Sequence, residues 1–211
     1  MIDTRARLHG ATDFVKTMRD GIPKLEEQEQ LYLRKLAEEG GWEYEDFVIE
    51  RDILGHSFQN SIPEFAAFSS IILLDSIVET QLDAFGTLIG KSRDSKILVK
   101  HMAGQGMDRS ALYLKHVFSI DIKTDPAWSK LQDLHSLRNI IVHRGGKRGL
   151  SLDHQKSFDE IIRKYSRELQ VRENGRIITD RLCVSFDLCL AFAETCEEFF
   201  QRIFETAGLT S

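Results

Sequence analysis

Proline is scarce: three residues in a chain of 211. Proline removes a backbone donor and clashes in a helix interior, so its rarity permits long helices almost everywhere. Cysteine is equally scarce, an odd count of three with no CxxC pair. That excludes a disulfide framework and the usual zinc spacings. Cys183, Cys189 and Cys196 share one apolar run. They read as buried thiols packing as small hydrophobes in a reducing cytosol. None lies near a basic motif in sequence, so a cysteine nucleophile is not expected. Positive charge is not in excess either. With 28 Lys and Arg against 33 Asp and Glu, the net charge is −5. A chain that coats nucleic acid by bulk charge is basic, so any such contact here must come from a local patch. The most apolar stretch, residues 65–78, is interrupted by Ser69, Ser70, Asp75 and Ser76 and is too short and polar to span a bilayer. The opening residues MIDTRARLHGATDF carry charge and no apolar core, so no signal peptide and a cytoplasmic location are expected. There is no internal repeat or low-complexity tract.

What is present is an ordinary globular balance, 42% hydrophobic and 29% charged, enough for a large all-α domain. Residues 3–20 read as a polar helix. Pro23 opens a charged helix over 24–39, stopped by Gly40-Gly41. Residues 42–57 form a third segment. Ser61 and Pro63 start a long apolar helix running to Leu88, expected to be central to the core. Shorter helices follow over 94–102 and 108–117. Asp125-Pro126 caps a helix to Val142, with Trp128, Leu131, Leu134, Ile141 and Val142 on its buried side. Asp153 caps another helix to Leu169. Asn174-Gly175 then marks a small β-hairpin. The last helix spans 180–207, with Gly208 as its stop. The expected organisation is a polar helical extension over 1–60 and a helical bundle over 61–211.

Chemistry concentrates in LQDLHSLRNIIVHRGGKRG, residues 131–149. From Leu134 to Leu152 there are four Lys or Arg and no Asp or Glu, a basic island in an acidic chain. Arg138 supplies a permanent charge in a fork suited to phosphate. His143 supplies the side chain whose proton moves near neutral pH. Asn139 and His143 are four apart and share a helical face, so the amide is placed to fix the imidazole tautomer. Arg138 and His143, five apart, lie about 140° around the helix from one another and flank a groove. That geometry suits a cleft closed by a second subunit better than a one-chain site.

The phrase LRNIIVHRGG resembles the signature of HEPN domains, in which Arg is followed after four to six residues by His and a polar residue stands just after Arg. Arg138, Asn139 and His143 fit that pattern, and SIVETQLDAFGTLIG resembles the long helix that precedes it in many members. The likeness covers residues 63–207. It implies a helical bundle pairing about a two-fold axis, with both copies of Arg138, Asn139 and His143 in one cleft. Many members are metal-independent endoribonucleases of toxin–antitoxin or antiviral defence systems, so an RNA substrate and an antitoxin or defence partner are implied, with no cofactor, no metal and no membrane. Glu79 is the acid that the resemblance offers for orienting the motif. Arg144, Lys147 and Arg148 are the expected holders of flanking RNA phosphates. Other members have lost catalysis and serve as RNA-binding or protein-docking modules, which is the alternative reading.

Plainer roles exist for each residue. Arg138 is placed to pair with Asp133 or another surface carboxylate, His143 to meet the helix dipole, and the basic turn to be simply solvated. Glu79 and Asp83, four apart, are by default a solvated stripe. His135, three before Arg138, shares that residue's face. The remaining histidines have no ligand partner at a diagnostic spacing.

Overall fold

The computed structural model describes residues 2–172 and 180–209. It is an all-α architecture with one small antiparallel hairpin before the last helix. The elements are α1 (Ile2–Gly40), α2 (Tyr44–His56), α3 (Ile62–Ser92), α4 (Gly106–Phe118), α5 (Trp128–Arg144), α6 (Leu152–Lys164), β1 (Leu169–Arg172), β2 (Arg181–Val184) and α7 (Phe186–Thr206). The apolar helix expected at the centre, α3, is there, packed by α1, α4, α5 and α7. Its buried row includes Ala67, Ile71, Leu74, Val78, Leu82, Phe85 and Ile89. Opposite stand Leu131, Leu134, Leu137 and Ile140 of α5 and Leu188, Phe192, Cys196 and Phe199 of α7. Cys189 and Cys196 are buried as expected, and burial pushes the Cys189 thiol up to about 12.

Several boundaries differ from those expected. Pro23 does not open a helix: it lies inside α1, which runs unbroken past it. Ile22 is buried while Pro23 faces solvent, so water can satisfy the carbonyl that the missing donor leaves free. Leu8, Ala11 and Val15 are core residues, so the first half of α1 belongs to the bundle and only its second half stands clear. Ser61 caps nothing. Residues Ser57–Ser61 form a π-turn that fuses α2 to α3, with the Ile62 amide reaching back to the Ser57 carbonyl. The wide turn falls just ahead of Pro63, which has no amide to continue the regular ladder. The fused helix contains a window long and apolar enough to cross a membrane by length and composition, and more than half of that window is buried in the bundle.

Residues 94–102 hold only a 3₁₀ turn at Val99–His101, after Asp94 takes a left-handed φ of 51°. Asp125 does act at the start of α5, accepting from the Ala127 amide at 2.8 Å. It also takes two hydrogen bonds from Arg202 of α7, which ties the two helices together and holds its carboxyl below the usual range. Val142 is 45% exposed rather than buried. Ser151, not Asp153, caps α6, and α6 stops at Lys164. The second strand occupies 181–184, so α7 begins at Phe186 under a Ser185 cap rather than at 180. Leu169 pairs with Val184 and Arg172 with Arg181. The Asn174-Gly175 turn lies outside the described residues.

Candidate functional site: an arginine and two histidines on one helix

The site is built where α5 crosses α3. Leu131, Leu134, Leu137, Ile140 and Ile141 press α5 against the core, which turns His135, Arg138 and Asn139 to a half-buried edge. Beneath that edge lies Asp75 of α3, its side chain 1% exposed. A buried carboxylate needs partners, and both come from α5. His135 Nδ1 lies 3.2 Å from Asp75 Oδ1, and Arg138 Nε lies 3.6 Å from Asp75 Oδ2. Arg138 also donates from Nη1 to the Asn139 side-chain oxygen at 3.0 Å. One buried acid therefore orients the imidazole and the guanidinium together.

The Asp75 hydrogen bond raises the pKa of His135 above its ordinary 6.5, against the opposing effect of burial, with the charges of Asp75 and Glu79 adding to the rise. Glu79, one turn along α3, lies 3.7 Å from His135 Nδ1. Its carboxylate rests on the first residue of α4: a side chain at Gly106, where φ is +52°, would collide with Glu79 Oε1. The positive end of the α4 dipole favours an anion there. Glu79, Asp83, Gly106 and Arg109 line an open cavity of about 350 Å³ beside it. The donor atoms of Asp75, Glu79 and His135 all fall within 4.8 Å of one another, so among the described residues these three have a donor set suited to a divalent ion. The Arg138 guanidinium already gives Asp75 a cation.

The C-terminal end of α5 explains the glycine pair. Gly145 takes a left-handed φ of 60° and its amide reaches the Ile141 carbonyl at 2.8 Å. Gly146, at φ 77°, lies so close to the Phe68 ring that an added Cβ would stand 2.6 Å from it. The turn then runs against the hairpin: Leu182 donates to the Gly146 carbonyl and Arg148 to that of Asp180. His143, on the last turn of α5, is exposed and has no hydrogen-bond or ion-pair partner among the described residues.

The residues singled out in sequence thus fare differently. Arg138 and Asn139 are together, but Asn139 serves the guanidinium and not His143. Arg138 meets Asp75 rather than Asp133, which instead takes the Tyr165 hydroxyl at 2.7 Å. Glu79 touches His135 but the acid that orients the motif is Asp75. Arg144 is spent on the carbonyls of Arg148 and His154, at 3.1 and 3.0 Å. Arg148 is spent on Asp159 and Asp180, at 2.6 and 3.4 Å. Lys147 remains exposed and has no ion-pair partner among the described residues. Asp75 and Gly106 were not singled out for the site. The signal for Asp75 was its place in the apolar run of α3, where an acid is costly unless paired.

No family model, curated protein or solved structure matches this chain.

Proposed function

We propose that the protein is a metal-independent endoribonuclease of the HEPN kind, acting in toxin–antitoxin or antiviral defence, with a site shared between two subunits. The observation that carries this reading is what α5 presents: a guanidinium held by a buried carboxylate and an amide, with an imidazole nearly one turn before it, and a second, exposed imidazole on the last turn of the same helix, across a groove from the guanidinium. RNA brings its own nucleophile. An imidazole of His143 takes the proton of a ribose 2′-OH, and the 2′-oxygen forms a bond to phosphorus. The bond from phosphorus to the 5′-oxygen breaks, and an imidazolium returns a proton to that oxygen. The products are a 2′,3′-cyclic phosphate and a 5′-hydroxyl. Arg138 offsets the charge that develops on the non-bridging oxygens. Asp75 and Asn139 are positioning residues that hold the fork still.

A second copy seated along the exposed row of α3 would bring its own motif near the first. That row, Phe65, Ser69, Leu73, Ser76 and Thr80, is uncharged and recurs at helical spacing. With Arg144 and Arg148 engaged internally, Lys147 is the turn residue left to hold a flanking phosphate. Cleavage of RNA in the presence of EDTA, lost by about 100-fold or more in both Arg138→Ala and His143→Ala, tests this reading. Retention of full cleavage in both variants would overturn it. The docking-module alternative is favoured by one observation, the exposed apolar side chains Tyr32, Ile49 and Ile53 in the helical hairpin ahead of α3.

A further inference from the structure

The chemistry proposed above needs two proton carriers, one to take a proton from the 2′-OH and one to return a proton to the 5′-oxygen. His143 fills the first role, and the geometry of α5 bears on the second. His135 stands three residues before Arg138, so the two side chains are neighbours on the helix. Both lean on Asp75, whose side chain is buried. Asp75 meets the Nδ1 edge of His135, with Oδ1 at 3.2 Å and Oδ2 at 3.3 Å. A buried carboxylate on one ring nitrogen keeps a proton there, fixes the ring orientation and stabilises the imidazolium. The other nitrogen, Nε2, has no partner among the described residues, and the side chain is 36% exposed. Arg138 is arranged alike: Nε faces Asp75, Nη1 donates to Asn139, and Nη2 has no partner among the described residues. One buried acid thus holds the inner ends of both groups and leaves an imidazole nitrogen and a guanidinium nitrogen uncommitted, less than one helical turn apart.

His143 of the same chain does not complete that pair. Eight residues separate it from His135, about 12 Å along the axis at 1.5 Å per residue. The attacking and leaving oxygens sit on one phosphorus, so their proton carriers must converge on it. His135, held at Nδ1, is not free to swing along the helix. We infer that His135 is the acid of this cleavage, and that each site pairs His135 and Arg138 of one copy with His143 of a second copy. The inference rests on the ribonuclease reading. His143 of the second copy takes the 2′-OH proton as the 2′-oxygen bonds to phosphorus. The bond from phosphorus to the 5′-oxygen breaks with its electron pair on that oxygen, and His135 gives it the Nε2 proton. His135 is left as a neutral imidazole with its remaining proton on Nδ1, toward Asp75. Exchange with water then carries a proton away from His143 and back to His135. The Asp75 hydrogen bond favours the proton-carrying form that an acid needs, against burial, with Glu79 adding to that effect and the Arg138 charge opposing it. An isologous pair holds two such sites.

Three measurements on the full chain test this. His135→Gln, whose amide can still donate to Asp75, is expected to slow RNA cleavage by about 100-fold or more. The loss is expected to fall below about tenfold on an RNA whose scissile 5′-oxygen is replaced by sulfur, because a thiolate leaves without a proton. Co-expression of His135→Gln and His143→Gln subunits under separate tags isolates the mixed dimer. It has one site with both changes and one with neither, so about half the wild-type rate is expected although each variant alone is slow. A mixed dimer of His135→Gln with Arg138→Ala is expected to stay slow, since these residues serve the same half of each site. A wild type that cleaves no RNA removes the ribonuclease reading and this inference with it. Cleavage that His135→Gln leaves at full rate overturns this inference alone. So does an equal loss on the oxygen and sulfur substrates, which would make His135 a positioning residue. So does a His135→Gln and His143→Gln mixed dimer as slow as its parents, or a wild type that cleaves as a monomer.

Discussion

At the scale of single residues, the decisive arrangement is one buried carboxylate serving two cationic side chains. His135 binds its proton more tightly in the folded state, because Asp75 accepts its hydrogen bond. A raised folded value contributes stability that is complete below the ordinary 6.5 and is lost as pH rises through the folded value. Asp75→Asn is therefore expected to lower the His135 titration midpoint followed by NMR, and to flatten the stability–pH profile over that range. An unmoved midpoint would mean the carboxylate does not govern the imidazole. Gly146 gives a second test. Its φ of 77° and its approach to Phe68 both exclude a side chain, so Gly146→Ala is expected to cost about 1–3 kcal/mol in denaturant unfolding. A neutral substitution would show that the α5 turn relaxes freely away from the α3 ring. The motif residues were legible in sequence because Arg, Asn and His stand close together on one segment. Asp75 was not, because it lies 60 positions from its imidazole partner and only the crossing of α3 and α5 joins them.

At the scale of elements, the long apolar helix and the motif helix were legible from periodicity, and so was the presence of a small hairpin before the last helix. The boundaries around proline and serine were not. Pro23 and Ser61 carry strong local preferences for helix starts, yet continuous packing overrode both. Pro23 in particular remains in a helix interior at a local cost of about 3 kcal/mol, offset in part by the stiffer unfolded chain. Pro23→Ala is accordingly expected to raise stability by about 2 kcal/mol, read as a higher thermal midpoint. A lower midpoint would indicate that the proline shapes α1 in a way the bundle needs. The strand at 181–184 was read as helix because Leu182 and Val184 are apolar and continuous with α7. Pairing with β1 decides the matter, and Ser185, accepting from the Leu188 amide at 3.1 Å, starts the helix where the strand ends.

At the scale of the whole molecule, the fused helix divides at the π-turn: ahead of it α2 belongs to an acidic stretch, residues 24–56, with exposed apolar side chains, and beyond it α3 carries the uncharged exposed row Phe65, Ser69, Leu73, Ser76 and Thr80. Composition alone conceals this division, since the chain's net charge of −5 is the sum of −6 over residues 24–56 and +1 over the rest. The distinction matters for function, because an RNA site on an acidic chain depends on where its few unpaired cations face. The central claim is that the α5 edge breaks RNA with imidazole and guanidinium groups alone. The most direct measurement is end-group analysis of RNA incubated with the pure protein in EDTA. A 2′,3′-cyclic phosphate and a 5′-hydroxyl, absent when Arg138→Ala replaces the wild type, are the predicted result. Intact RNA, or cleavage that appears only when a divalent cation is restored, would contradict it.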